Sequence, residues 1–231
     1  MAAKDNQLTG IVNKNYFNQE LEEKINENKT KAVMNLNSQR LNKYDIRIIV
    51  NELKVNQCWK ELYLNGNNLT SDTIQNMCEV LKLNTHLELL SLSGNPLYSD
   101  GAKLIGDLML ENKSIKILII NSNQFKDHGI EHIAQMLKYN KTLKELQIMN
   151  NQITHMGMIN LVEALKINKN LENLNVSKNE FTEYGVSTII DMLNTNRTLK
   201  VLNISSTDIP FKAQDEIQRK TTDNTICKVE Y

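Results

Sequence analysis

The sequence has no excess of either charge: Lys and Arg number 27, and Asp and Glu 27. A balanced chain has no overall field to draw in nucleic acid or an anionic membrane, so neither is expected as a partner. Cysteine is scarce. Cys58, Cys78 and Cys227 stand far apart without CxxC spacing, which argues against a disulfide framework or a zinc-ribbon set. No apolar run approaches the roughly 18 residues needed to span a bilayer, and the opening "MAAKDNQLTG" lacks a signal-peptide core. Membrane insertion is therefore not expected, and the chain reads as soluble and cytoplasmic.

What the sequence does have is a period. Asparagines stand at Asn28, Asn56, Asn84, Asn112, Asn140, Asn168, Asn196 and Asn224, each step being 28 residues. After each of these except the last comes the signature L-x-x-L-x-L-x-x-N-x-L, clearest in "LELLSLSGNPL" and "LENLNVSKNEF". Its central leucine position recurs as Met34, Leu62, Leu90, Leu118, Leu146, Leu174 and Leu202. The two-residue alternation predicts a short strand with one buried face. In "HGIEHIAQMLKYN", Ile130, Ile133, Ala134 and Leu137 follow helical spacing, so each unit reads as strand, turn, amphipathic helix and return loop.

A polar column at Asn67, Asn95, Asn123, Asn151 and Asn179 follows the strands. An amide there can donate to and accept from a tight loop that has no ladder of its own. It degrades to Gln39 and Thr207 in the terminal units. Glycines at Gly101, Gly129, Gly157 and Gly185 are expected to let helix and strand layer approach closely; no GxGxxG or GxxxxGK[ST] surrounds them.

The stretch "DHGIEH" carries His128 and His132 four residues apart and fits the H-x-x-E-H pattern of some zinc peptidases. Helical geometry instead turns both histidines to the convex surface, away from Ile130, Ile133 and Leu137. A peptidase also needs a third ligand and a dry cleft. With His155 the pair could form at most an adventitious surface site, so no metal, no cofactor and no enzymatic activity are expected. No G-x-S-x-G elbow occurs either. The sequons at Asn112, Asn140 and Asn196 coincide with the period-28 column and read as structural.

These motifs closely resemble leucine-rich repeats of the ribonuclease-inhibitor-like class, in its intracellular version with 28-residue repeats. The resemblance covers residues 31–209 and implies an α/β solenoid, a right-handed horseshoe segment with parallel strands on the concave face and helices on the convex one. Residues 1–30 are expected to form a capping helix over "NYFNQELEEKINEN", with Leu21 and Ile25 buried and Tyr16 and Phe17 adding apolar cover. Residues 210–231 should form a C-terminal cap, whose closing strand supplies Cys227 and Glu230 where leucines belong.

With the leucines turned inward, their neighbours line the concave face. Of those 21 positions only Glu61 and Glu145 are charged, against 23% for the chain, and charge depletion marks interface cores. Leu89, Ile117, Ile119 and Met149 are expected to merge into one exposed apolar patch flanked by Tyr63, with Asn121, Glu145 and Gln147 completing a partner-binding set. The alternative is that these side chains are partly covered by the chain's own ends, or scattered.

The resulting expectation is a non-catalytic protein-interaction module, one subunit of a larger multi-protein assembly, docking a protein segment on its concave face. Family members include nuclear-transport GTPase activators, immune receptors, tropomodulin and ciliary scaffolds. The chain lacks the acidic tail of the first, the nucleotide-binding domain of the second and the helical tropomyosin-binding half of the third. A scaffold at the cytoskeleton or cilium is left by elimination. A small-GTPase regulator using exposed Asn and Glu at a strand end, or a signalling adaptor or sensor, is the competing expectation.

Overall fold

A computed structural model describes residues 16–220 and 226–231; Asn224 and the first 15 residues of the N-terminal cap lie outside them. The elements alternate along the chain: α1 (Gln19–Asn28), β1 (Val33–Asn35), α2 (Lys43–Leu53), β2 (Glu61–Tyr63), α3 (Ser71–Leu83), β3 (Leu89–Ser91), α4 (Tyr98–Glu111), β4 (Ile117–Ile119), α5 (Lys126–Tyr139), β5 (Glu145–Gln147), α6 (His155–Ile167), β6 (Asn173–Asn175), α7 (Val186–Thr195), β7 (Val201–Asn203), α8 (Phe211–Lys220) and β8 (Lys228–Glu230). The strands form one parallel sheet in sequence order, β1 to β8. From β1 to β7 each residue pairs with the one 28 positions on, as in Leu90↔Leu118↔Leu146. The sheet and the helix row are two layers of one α/β solenoid. Between them lies a continuous core in which Leu62, Leu90, Leu118 and Leu146 meet Ile105, Ile133 and Leu161, all fully buried. Trp59 takes a leucine position at the first junction and donates its indole N–H to Asn28 O at 3.1 Å.

Two asparagine columns tie neighbouring repeats together. Asn95 Nδ2 donates to Leu64 O (3.1 Å) and Leu92 O (2.8 Å), while its Oδ1 accepts from Asn67 N and Leu69 N, both at 3.0 Å. One buried amide thus serves backbone groups of two turns, which the three-residue strands leave unpaired. The period-28 column works at the other end of the helices. Asn112 Nδ2 donates to Leu81 O at 2.6 Å, and its Oδ1 accepts from Ser114 N and Ile115 N; Asn140 and Asn196 repeat the pattern. These sequon asparagines are buried, with their amides committed to the fold. In the turns after β2 to β6 the same repeat position takes positive φ: glycine at Gly66 (65°) and Gly94 (66°), but Ser122 (56°), Asn150 (54°) and Lys178 (55°) later. Glycine suits that conformation without steric cost.

The structure departs from the sequence-based expectations at four places. β8 pairs Val229, not Glu230, with Leu202, a slip to 27 residues that turns Val229 toward the core and leaves Glu230 Oε2 accepting from Asn203 Nδ2 at 2.9 Å. Burying the carboxylate at a leucine position would have been far costlier. Phe17 is 62% exposed and covers nothing, whereas Tyr16 donates to the buried Asp45 at 2.9 Å and stacks on Tyr44. The glycine column faces helix rather than sheet: a Cβ at Gly129 would meet Ala102 and Phe125 at 3.0 Å, one at Gly157 would meet Asp127 Oδ1 at 2.5 Å, and one at Gly185 meets nothing. Leu89, the fourth departure, belongs to the concave face.

Candidate protein-docking face

The pleat places the three side chains of each strand in alternation, so the first and last residues of every strand face the hollow. Pairing register arranges them in rows across the sheet. One row runs Val33, Glu61, Leu89, Ile117, Glu145, Asn173 and Val201; the other runs Asn35, Tyr63, Ser91, Ile119, Gln147, Asn175 and Asn203. Ile117, Ile119 and Met149 lie half-buried on this face, as do Tyr63, Asn121, Glu145 and Gln147. Leu89 does not: at 8% exposure it has sunk into the floor between Glu61 and Ile117. The expected patch is therefore smaller, with Ile117 and Ile119 on adjacent floor positions and Met149 at the turn beyond.

Much of the polarity here is already spent. Asn65 Oδ1 accepts from Ser91 Oγ and Ser93 N, both at 2.7 Å; Ser93 Oγ accepts from Asn121 N at 3.1 Å; Asn121 Oδ1 accepts from Met149 N at 2.8 Å. A polar spine thus crosses the face from repeat to repeat, and the sequence signalled it only as more asparagine. Tyr63 Oη donates to Glu61 Oε2 at 2.7 Å, and this bond, with burial, pushes the phenol up to about 12. Gln147 Nε2 donates to Glu145 Oε1 at 2.6 Å. Neither Glu61 nor Glu145 has a cationic partner among the described residues. The flanking rim differs, since Glu88 pairs with Lys60 and Lys116, and Glu172 with Lys144 and Lys200.

The most exposed apolar side chains lie elsewhere, which sequence reasoning missed. Val55 (70%), Leu83 (85%), Tyr139 (64%) and Ile167 (57%) share one repeat position at the C-terminal ends of the helices. Between α2 and α3 this edge opens into a groove of about 650 Å³, bounded by Val55, Val80, Leu83 and His86. The 28-residue period would have aligned them, but the column is interrupted by Glu111.

The DHGIEH stretch lies on α5. His128 and His132 stack edge to face with ring centres 5.5 Å apart, and His155 stacks on Tyr184 instead of joining them. Among the described residues no three of His, Cys, Asp and Glu gather as a metal group. Asp127 has a structural task. Its Oδ1 accepts from Thr154 N (2.8 Å) and Gly157 N (3.0 Å), and its Oδ2 from Thr154 Oγ1 (2.7 Å), capping α6 of the following repeat. Burial pushes the Cys78 thiol up to about 12 and that of Cys227 up to about 11, opposite to what a nucleophilic thiolate requires. No helix among the described residues is long and apolar enough to cross a membrane.

A family model described as "TMOD/LMOD Leucine-rich domain" matches residues 60–159, and one described as "Leucine Rich repeat" matches residues 195–209. No curated protein matches the chain. Among solved structures, "Leiomodin-1 Actin-Binding Site 2 (ABS2)" is similar at 19% identity and a TM-score of 0.45, over 76% of this chain and 86% of that one. The tropomodulin C-terminal domain of Caenorhabditis elegans is similar at 13% identity and a TM-score of 0.44, over 78% and 93%. The chain carries leucine-rich repeats, and its fold is the α/β solenoid that such repeats build.

Proposed function

We propose that this protein is a non-catalytic binding module that docks a protein segment on its concave face as part of a larger assembly. The observation that carries the reading is the concave floor itself: half-buried Ile117, Ile119 and Met149 within a field nearly free of charge, the composition of an interface core. Tyr63, Leu89, Asn121, Glu145 and Gln147 complete the surface, with Leu89 acting from beneath. Residues 31–209 supply this surface, and α1 at one end and α8 with β8 at the other close it. The uniform 28-residue unit supports the ribonuclease-inhibitor-like class. The TMOD/LMOD model over 60–159 favours a cytoskeletal assembly.

Affinity capture from native extract with three full-length variants tests the placement. Ile119→Glu should abolish capture of the specific partner while circular dichroism stays unchanged; His128→Glu, on the convex surface, should leave capture intact. Loss of capture in Leu83→Glu, but not in Ile119→Glu, would move the docking face to the helix-end edge and overturn the proposal.

A further inference from the structure

We propose that the occupant of the concave face is an amphipathic helix whose floor-facing stripe carries two cationic side chains bracketing apolar ones; this deepens the docking reading above and rests on it. One register row reads Glu61, Leu89, Ile117, Glu145 on four successive strands. Two carboxylates therefore bracket two apolar residues along a line perpendicular to the strands. At about 4.8 Å per strand they are separated by roughly 14 Å.

Both carboxylates are half-buried and accept a hydrogen bond only from a neutral neighbour, Tyr63 or Gln147. Six glutamates off the floor differ from these two, since Glu52, Glu79, Glu88, Glu111, Glu163 and Glu172 each hold a lysine. A half-buried carboxylate left without a cation is where a partner's Lys or Arg gains most, since its water is already partly displaced.

The floor also selects the partner's backbone conformation. Its strands are paired with one another, and Asn65, Ser93 and Asn121 are committed to the polar spine. An extended segment would bury peptide groups against Leu89 and Ile117 with few partners, at a cost of about 1–3 kcal/mol each. A helix brings its backbone bonds already made. On a helix, positions i, i+4, i+7 and i+11 share a face and span about 16 Å, which long cationic side chains can adjust to the carboxylate spacing. The rim rows Lys60–Glu88–Lys116 and Lys144–Glu172–Lys200 carry excess positive charge, so the fitting helix is cationic along its floor-facing stripe only.

Two labelled, helix-stabilised 16-residue peptides test this against the full chain by fluorescence anisotropy. One carries Lys at i and i+11 with Leu at i+4 and i+7; the other has Glu in place of both lysines. The Lys peptide should bind, the Glu peptide should not, and binding should weaken at 0.5 M salt. Glu61→Gln and Glu145→Gln should each weaken the Lys peptide about 3- to 10-fold, and the double change to Lys should reverse the preference. Equal binding of both peptides, or binding of neither, overturns the helix proposal. If Ile119→Glu abolishes native capture while both Gln variants retain it, the helix proposal alone falls. If Ile119→Glu leaves native capture intact, the docking reading falls with it.

Discussion

At the scale of single residues, the buried asparagines do the work that long strands do in other sheets. Asn95 completes bonds for backbone groups of two successive turns, and its removal strands two donors, Asn67 N and Leu69 N, and the acceptor Leu92 O in a dry layer, while Leu64 O keeps its bond from Asn67 Nδ2. Asn95→Ala should therefore cost about 2–4 kcal/mol, read as a lower urea midpoint, well above the effect of an exposed asparagine such as Asn68. Residue identity made this column legible in the sequence, because amides recurred at a position where no side-chain packing required them. The concave spine was less legible. Asn65, Ser93, Asn121 and Met149 share a repeat position, but donor and acceptor alternate between side chain and backbone along it, so no single residue type marks it. Leu89 was misread for a related reason: period-2 alternation assigns a face but not a depth, and flanking Glu61 and Ile117 shield it.

At the scale of elements, the helix starts show how far one repeat can differ from the next. Asp127 caps α6 across the repeat boundary, with Thr154 and Gly157 as its donors. One repeat on, His155 stands in place of the aspartate, and Thr182 Oγ1 is buried without a partner. There the chain enters α7 through a 3-10 turn, Glu183–Gly185, with open space at Gly185 where the carboxylate would lie. His155→Asp should rebuild the cap, raising stability by about 1 kcal/mol and slowing amide exchange at Thr182. An unchanged exchange rate there would show that the 3-10 entry has another cause. The helix columns were readable from apolar spacing alone, whereas a cap donated by a different repeat leaves no local signature.

For the whole molecule, stability is shared between neighbours rather than stored in one centre. The ends matter most, because a terminal repeat has one neighbour. β8 and α8 cover β7 with Val229, Ala213 and Ile217. Ending the chain at Pro210 should cost on the order of 3 kcal/mol and bare the β7 edge, giving concentration-dependent association by light scattering; a monomer of unchanged midpoint would show the cap to be dispensable. The architecture was legible because seven units repeat one register, and the closing strand was expected, but its register was not legible, since a single-residue slip breaks the period that made everything else readable.

The Asn95 pattern has a consequence for how such a chain can change in length. Each amide oxygen accepts from a backbone N–H a fixed 28 positions earlier, Asn95 from Asn67, Asn123 from Asn95 and Asn151 from Asn123. Duplicating one whole unit inside the array would recreate every one of these bridges at the new joint, whereas gaining or losing a few codons within a unit would sever two of them. Growth of this protein is thereby quantised: it can become longer by entire turns, but its pitch is fixed.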